Sequence, residues 1–413
     1  MIFSRLSRSL GLVRYYSSKS SNCDIYSFGS GSGGQLGNGR DYDYESYPYK
    51  VNNINGNDVQ QLYCGNYHSM FLMNDGSVLT SGWNSFVGSD REVKENSYSK
   101  CLVPTLINEL SHCRISTLAC GRRHIMFIDD HQRVYGLGVG SEYQLGSESN
   151  QNQIVPIEIE PLSSKKFVKI VCGWGNSVGL TENGDLFSWG WNADGQAGIG
   201  KSKDLNNPVV IKPTLIPSSS KFINIYCNGS DHLIAVDDKG SLFSFGCNTH
   251  GQLGTGDLES KFTPTLIQPL QNKFYKTSFD VRNDRLQRIA LGFAHSLVID
   301  DDDQLYGFGS NGNMQLAKEN QINYLLPTLL NINNMKIKSV SAGRCHSSFI
   351  DSSNQLYTFG NQNHGTLGNG CNKGNQHEPV HLDSQYFEDP INNLQCLQVS
   401  SGFDHNLIQI QNE

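Results

Sequence analysis

The chain has 413 residues, with 32 Lys and Arg against 39 Asp and Glu, a net charge of −7 that argues against general nucleic-acid binding, DNA above all. Hydrophobic residues make up only 37 %, and no run approaches the roughly 18 consecutive apolar residues that a membrane-crossing helix needs. Eleven cysteines without a Cys-x-x-Cys pair speak against a zinc ribbon and are read as reduced, small apolar residues.

In chain order the first element is unlike the rest. Residues 1–21 hold Arg5, Arg8, Arg14 and Lys19 among many serines, and no acidic residue precedes Asp24. The arginines break up the apolar core that a secretory signal requires, so the pattern predicts a mitochondrial transit peptide. Arg14-Tyr15-Tyr16-Ser17 has the form of a matrix-processing site with cleavage between Tyr16 and Ser17. The expected organisation is a transit peptide and linker over 1–24 and one domain over 25–413. Loss of Arg5, Arg8 and Arg14 would leave 29 basic against 39 acidic residues, in a matrix protein at most peripheral to the inner membrane.

From Ile25 onward one unit recurs. Its front half is a Gly-x-x-His run, at Gly65 and His68, Gly121 and His124, Gly229 and His232, Gly292 and His295, Gly343 and His346, and Gly402 and His405. In the third member Gly173 keeps its place and Asn176 replaces the histidine. The back half is anchored by Gly29, Gly82, Gly138, Gly190, Gly246, Gly309 and Gly360, usually followed by Gly-Gln-Leu-Gly, and both series step by 51 to 63 residues. Periods of this length point to propeller blades or solenoid turns.

Inside a unit the pattern is strand-like. Residues 59–64, 69–73 and 77–80 are short apolar or alternating runs, and Asn74-Asp75-Gly76 is a hairpin turn, repeated at Gly184 and Gly240. Asp300 to Asp303 fall at the same turn and are read as solvated rather than as a cation site. A fourth strand is predicted to start at prolines such as Pro156 and Pro264, since proline is tolerated at a strand's first residue. The chain begins with a back half, from Ile25 to Gly37, and finishes with a front half, from Val399 to Ile410. The expectation is an all-β, seven-bladed β-propeller of four-stranded antiparallel blades, closed by strands from both termini. The histidines, repeated by symmetry, are read as structural, each ring nitrogen tying the second and third strands together, with Asn176 supplying a similar bond.

These motifs, and segments such as Trp189-Gly190-Trp191-Asn192-Ala193-Asp194-Gly195-Gln196, resemble the regulator-of-chromosome-condensation repeat family over residues 25–410. The resemblance implies a seven-bladed propeller and a binding role. Nuclear members act as guanine-nucleotide exchange factors for Ran, using an acidic residue in the first blade loop. Here that position is Ser32, and the loop carrying Glu142 has no insertion. Plant ultraviolet-B receptors of the family place Trp after several of these glycines, whereas here only Trp174 stands so. The mitochondrial branch, similar to G-exchanging-factor-like propellers, implies regulation of a dynamin-like GTPase or, alternatively, assembly of ribosomal RNA and its partners. A ubiquitin-ligase or kinase adaptor is the third reading.

No catalytic, cofactor or metal motif is present, so the expected function is non-catalytic protein binding. Candidate partner-binding residues are Ser32, Trp83, Glu142 and Asp194 in blade loops, and a basic insertion with Lys273, Lys276, Arg282, Arg285 and Arg288; function is expected where the repeat fails, in the loop after Gly82, at Asn176, at Ser32 and in that insertion. The insertion is expected to form a rim loop for an acidic protein face, RNA or anionic lipid.

Overall fold

The computed structural model describes residues 22–83, 100–201, 206, 208–271, 273–274, 287–330, 332–388, 391 and 393–412. Their strands form seven antiparallel sheets of four, numbered here as blades one to seven. Blades one to six span 59–106, 115–158, 167–215, 222–266, 289–329 and 337–381. Blade seven joins Gln395–Ser401 and His405–Asn412 to Asn22–Ser30 and Tyr44–Lys50, with Asn22 opposite Asn412 and Gly29 opposite His405. The expected closure of the ring by both termini is therefore observed.

Each blade buries apolar side chains against its neighbour rather than within itself. Met70 and Leu72 of blade one pack with Leu118, Ile125 and Phe127 of blade two, and the same arrangement repeats around the ring. The second strand of each blade is covered on both faces, as in His232–Asp237, where every residue is buried. The outermost strands are only half-buried, and the prolines lie inside them rather than at their starts. Pro156 sits within Gln153–Glu158 and Pro264 within Lys261–Leu266, each where the pairing register slips. An outermost strand needs no outward N–H, so an interior proline costs no ladder bond and blunts the edge against pairing with other chains.

The hairpin turns are organised by a buried acid. Oδ1 of Asp129 accepts from the N–H groups of His131 and Arg133 at 2.9 and 2.8 Å, and Asp237, Asp300 and Asp351 do the same in blades four to six. Asp300 is 2 % exposed, so the first member of the Asp300 to Asp303 run is a buried turn-former, not a solvated residue.

The repeated histidines join blade to blade. Side chains stand perpendicular to a sheet, so a ring on the second strand reaches the next blade rather than the third strand of its own. Nε2 of His124, His232 and His295 lies 2.9, 2.9 and 3.0 Å from the hydroxyls of Ser177, Ser296 and Ser347. His346 pairs with Asn406 Oδ1 at 3.0 Å, and His405 with Ser69 at 2.9 Å. Each serine donates its one proton to a glutamine carbonyl of the preceding blade, as Ser177 does to Gln144 at 2.9 Å and Ser69 to Gln35 at 2.7 Å. The hydroxyl must therefore accept from the imidazole, which fixes the Nε2–H tautomer. Those glutamines belong to the Gly-Gln-Leu-Gly signature, and their side chains close the loop by accepting the N–H two residues earlier, as in Asp194 to Gln196 at 2.8 Å.

Two seams lack the bond. Where the following blade should offer a hydroxyl it has Ile125 opposite blade one and Leu233 opposite blade three. Blade three has Asn176 instead of histidine, and its amide turns to the Gln196 carbonyl of its own blade at 3.0 Å. Blade one keeps His68, fully buried with neither ring nitrogen bonded.

Candidate functional site

In an antiparallel blade the Gly-x-x-His turns and the loops from third to fourth strand share one face of the ring, and the hairpins and interblade connections share the other. The residue after each Gly of the repeat sits near the axis on the first face. These residues are Asn66, Arg122, Trp174, Ser230, Phe293, Arg344 and Phe403, and sevenfold repetition gathers them into one patch.

Three of them form an aromatic trio. Trp174 lies 5.6 Å from Phe293 and 6.2 Å from Phe403, and the two phenylalanines are 5.9 Å apart. The Arg122 guanidinium stacks 3.6 Å above Trp174, and Arg344 lies 4.8 Å from the Phe403 ring while paired with Asp404 at 2.8 Å. Phe293 stays 38 % exposed, although most large aromatic side chains of the blades are buried. Below the trio, Asn228 of blade four reaches across the axis and donates to Ala342 O and Ser401 O of blades six and seven at 3.0 and 2.9 Å. This strut floors the patch and separates it from a chamber of about 70 Å³ between the innermost strands. The chamber wall includes Cys64 and Cys227, whose thiols burial pushes up to about 12 and about 11, so they stay protonated.

Beside the trio lies an acidic group. Asp231 accepts from the Gln196 amide at 3.2 Å, and burial, with Asp194 and Glu142 close by, pushes its carboxyl up to about 6. Burial also raises Glu142, against the opposing pull of Arg123 and Arg122. Glu142 and Asp194, singled out from sequence, thus meet on this face. Ser32 and Trp83 lie on the same face at the blade-seven and blade-one sector, where Trp83 stacks on Tyr67 at 4.5 Å.

Of the basic insertion, the two described basic residues do not join them. Lys273 and Arg288 lie on the opposite face and are engaged by the turn of blade five. Lys273 donates to Tyr306 at 2.8 Å, and Arg288 pairs with Asp303 at 3.1 Å and bonds the Asp300 carbonyl. Lys276, Arg282 and Arg285 lie outside the described residues, as do residues 1–21 and the charged stretch after Trp83 up to residue 99. Arg122, Phe293, Arg344, Phe403 and Asp231 were missed because the x positions of Gly-x-x-His read as filler. The signal was present, since ring symmetry brings equivalent near-axis positions together.

Among the described residues Asp129, Asp130 and His131 place possible ligand atoms within 4.8 Å of one another. Asp129 already accepts from two backbone N–H groups and from Arg133 Nε at 2.7 Å, so its lone pairs are committed to the turn and the group does not fit a metal.

A folded-state carboxyl raised to about 6 means that the folded chain holds a proton the unfolded chain has lost. The contribution of this group to stability is therefore full below about pH 4 and is lost as pH rises through about 6. Asp231→Asn is expected to stabilise the protein at pH 7 by about 1–2 kcal/mol after allowance for partial exposure, read by denaturant unfolding, with no gain at pH 4.

The sequence model described as "RCC1-like domain" matches residues 24–408. The ultraviolet-B receptor UVR8 of Arabidopsis thaliana is 28 % identical over 348 residues, 84 % of this chain and 74 % of the receptor. The probable E3 ubiquitin-protein ligase HERC4 of Rattus norvegicus is 28 % identical over 386 residues, but the chain spans only 34 % of its length. Among solved structures, Prp20p of Saccharomyces cerevisiae superposes with a TM-score of 0.80 at 21 % identity, over 96 % of this chain and 93 % of that one. Human WBSCR16 gives 0.75 at 18 % identity, over 93 % and 99 %.

Proposed function

Because the chain belongs to the RCC1-like domain family, we propose that it is a non-catalytic propeller that binds a protein partner through the face bearing Trp174. The observation that carries this is the half-exposed trio of Trp174, Phe293 and Phe403 clasped by Arg122 and Arg344. Aromatic residues and arginines on a rigid floor are what interface hot spots are made of. The adjacent Glu142, Asp194 and Asp231 suit a partner that presents a lysine or arginine. Prp20p, which shares the fold, is described by its binding properties to Gsp1p and histones. We extend the reading to a GTPase regulator in the mitochondrion, the location resting on the basic, acid-free residues 1–21 and the GTPase on resemblance.

Crosslinking capture from mitochondria with and without nuclease tests this. Wild type should retain a nuclease-resistant partner whose capture changes with guanine nucleotide. Trp174→Ala with Phe293→Ala should weaken binding by about 2 kcal/mol or more, roughly 30-fold, without unfolding the ring. An unchanged partner set in that variant refutes the axial site. Loss of partners on RNA digestion would favour the ribosome-assembly role, and accumulation of the tagged full-length chain in the nucleus or cytosol would refute the mitochondrial one.

A further inference from the structure

We propose that the outer flank of blade seven is a second docking site, built for a proline-rich peptide with basic flanks in the polyproline II conformation. Residues 40–50 carry four tyrosines, and Tyr42, Tyr44 and Tyr47 are 58, 38 and 54 % exposed. Of these Tyr47, with Pro48, Tyr49 and Glu45 beside it and Tyr386 and Glu388 opposite, lines a groove of about 340 Å³.

The groove is set before any ligand arrives. Phe387 is 5 % exposed and packs edge-on against Tyr26 at 5.0 Å, anchoring one wall. Asp383 holds that wall's turn by accepting from Gln385 N–H at 3.1 Å. On the other wall the Arg40 guanidinium lies 3.5 Å over the Tyr49 ring and 3.4 Å from Glu45. Fixed walls lower the ordering cost of binding a peptide.

The backbone rules out the commonest alternative. An extended peptide adds to a sheet edge through alternating N–H and C=O groups, but Pro48 has no N–H and the pairing of Tyr44–Lys50 slips between Gly29 and Ser27. A polyproline II segment needs no ladder. It offers flat pyrrolidine faces and unpaired carbonyls, and tyrosine matches both with a ring face and a hydroxyl donor at its tip. Charge selects the flanks. Arg40 answers Glu45 and Lys100 answers Asp41, which leaves Asp43 and Glu388 without an ion pair among the described residues. The local excess is acidic, so the complementary peptide is basic.

Fluorescence anisotropy on the full chain tests this with an oligoproline peptide bearing an arginine at each end. Saturable binding is expected, at least ~10-fold tighter than for a glycine–serine peptide with the same ends. Tyr386→Ala and Tyr47→Ala should each weaken it several-fold, and Glu388→Lys should weaken it while leaving the melting temperature unchanged. Glu388→Lys guards against misfolding, because Tyr47 also lies across Gly370 of blade six. Trp174→Ala should have no effect, which separates this groove from the axial site. Equal affinity for the glycine–serine peptide, or wild-type affinity in folded Tyr386→Ala and Glu388→Lys variants, overturns the proposal.

Discussion

Lowering the pH from 7 to 5.5 is expected to remove about 7 kcal/mol of folding stability through the buried histidines, most of what a domain of ordinary stability possesses. Burial pushes His124, His232, His295 and His405 down to about 3, and His68 and His346 down to about 4. The unfolded chain takes up a proton at each near pH 6.5, and the folded chain does not until far lower. The contribution of these histidines is therefore complete above about pH 6.5 and drains as pH falls toward 4. Between pH 7 and 5.5 each histidine contributes about 1.2 kcal/mol of this loss, and the six together give the total. Acid titration of the near-ultraviolet circular dichroism should show a transition near pH 5 to 5.5 whose steepness reports several protons. His68→Leu should make it shallower without breaking a hydrogen bond, because that ring has none. A protein that keeps its tertiary signal at pH 4 would show that these rings are hydrated or charged in the folded state.

Gly343→Ala is the second large effect. A methyl group there would meet His346 Cε1 at 2.1 Å and the Gly402 carbonyl of blade seven at 2.5 Å. Neither neighbour has room to retreat, because the ring is bonded to Asn406 and the carbonyl belongs to the next blade's turn. The substitution should cost at least about 3 kcal/mol or prevent ring closure. Gly312→Ala is the control. No atom lies within 4 Å of its added carbon, so the change should stay within about 0.5 kcal/mol. Equal unfolding midpoints for the two variants would contradict the packed seam.

Gly-x-x-His was legible in the sequence as architecture and not as an interaction. A repeat in sequence gives the period of the ring, and the two half-units at the ends gave its closure. It does not say whether His295 faces its own blade or the next. That direction follows from side chains standing off the sheet, and only then does Asn176 make sense. Its partner position in the following blade is Leu233, so a long imidazole would find nothing to bond. The prolines were misplaced for a related reason, since Pro156 reads as a boundary unless the strand is known to lie outermost. Of the residues on the Trp174 face, Glu142 and Asp194 were singled out from sequence. Arg122, Phe293 and Phe403 were not, because variation at an x position looks like noise until seven such positions share one axis. In the basic insertion, Lys273 and Arg288 are committed to the turn of Asp300 to Asp303.

The pairing of Asn22–Ser30 with His405–Asn412 sets an order of events during synthesis. The amino-terminal strand leaves the ribosome first and its partner last, so blade seven stays half-made while the other six emerge. Throughout that time Asn22–Ser30 offers an unfilled slot, and a second nascent chain carries the strand that fits it. Polysomes crowded with this message are thus where exchanged dimers would arise, and a chaperone that shields the first strand until release would suppress them.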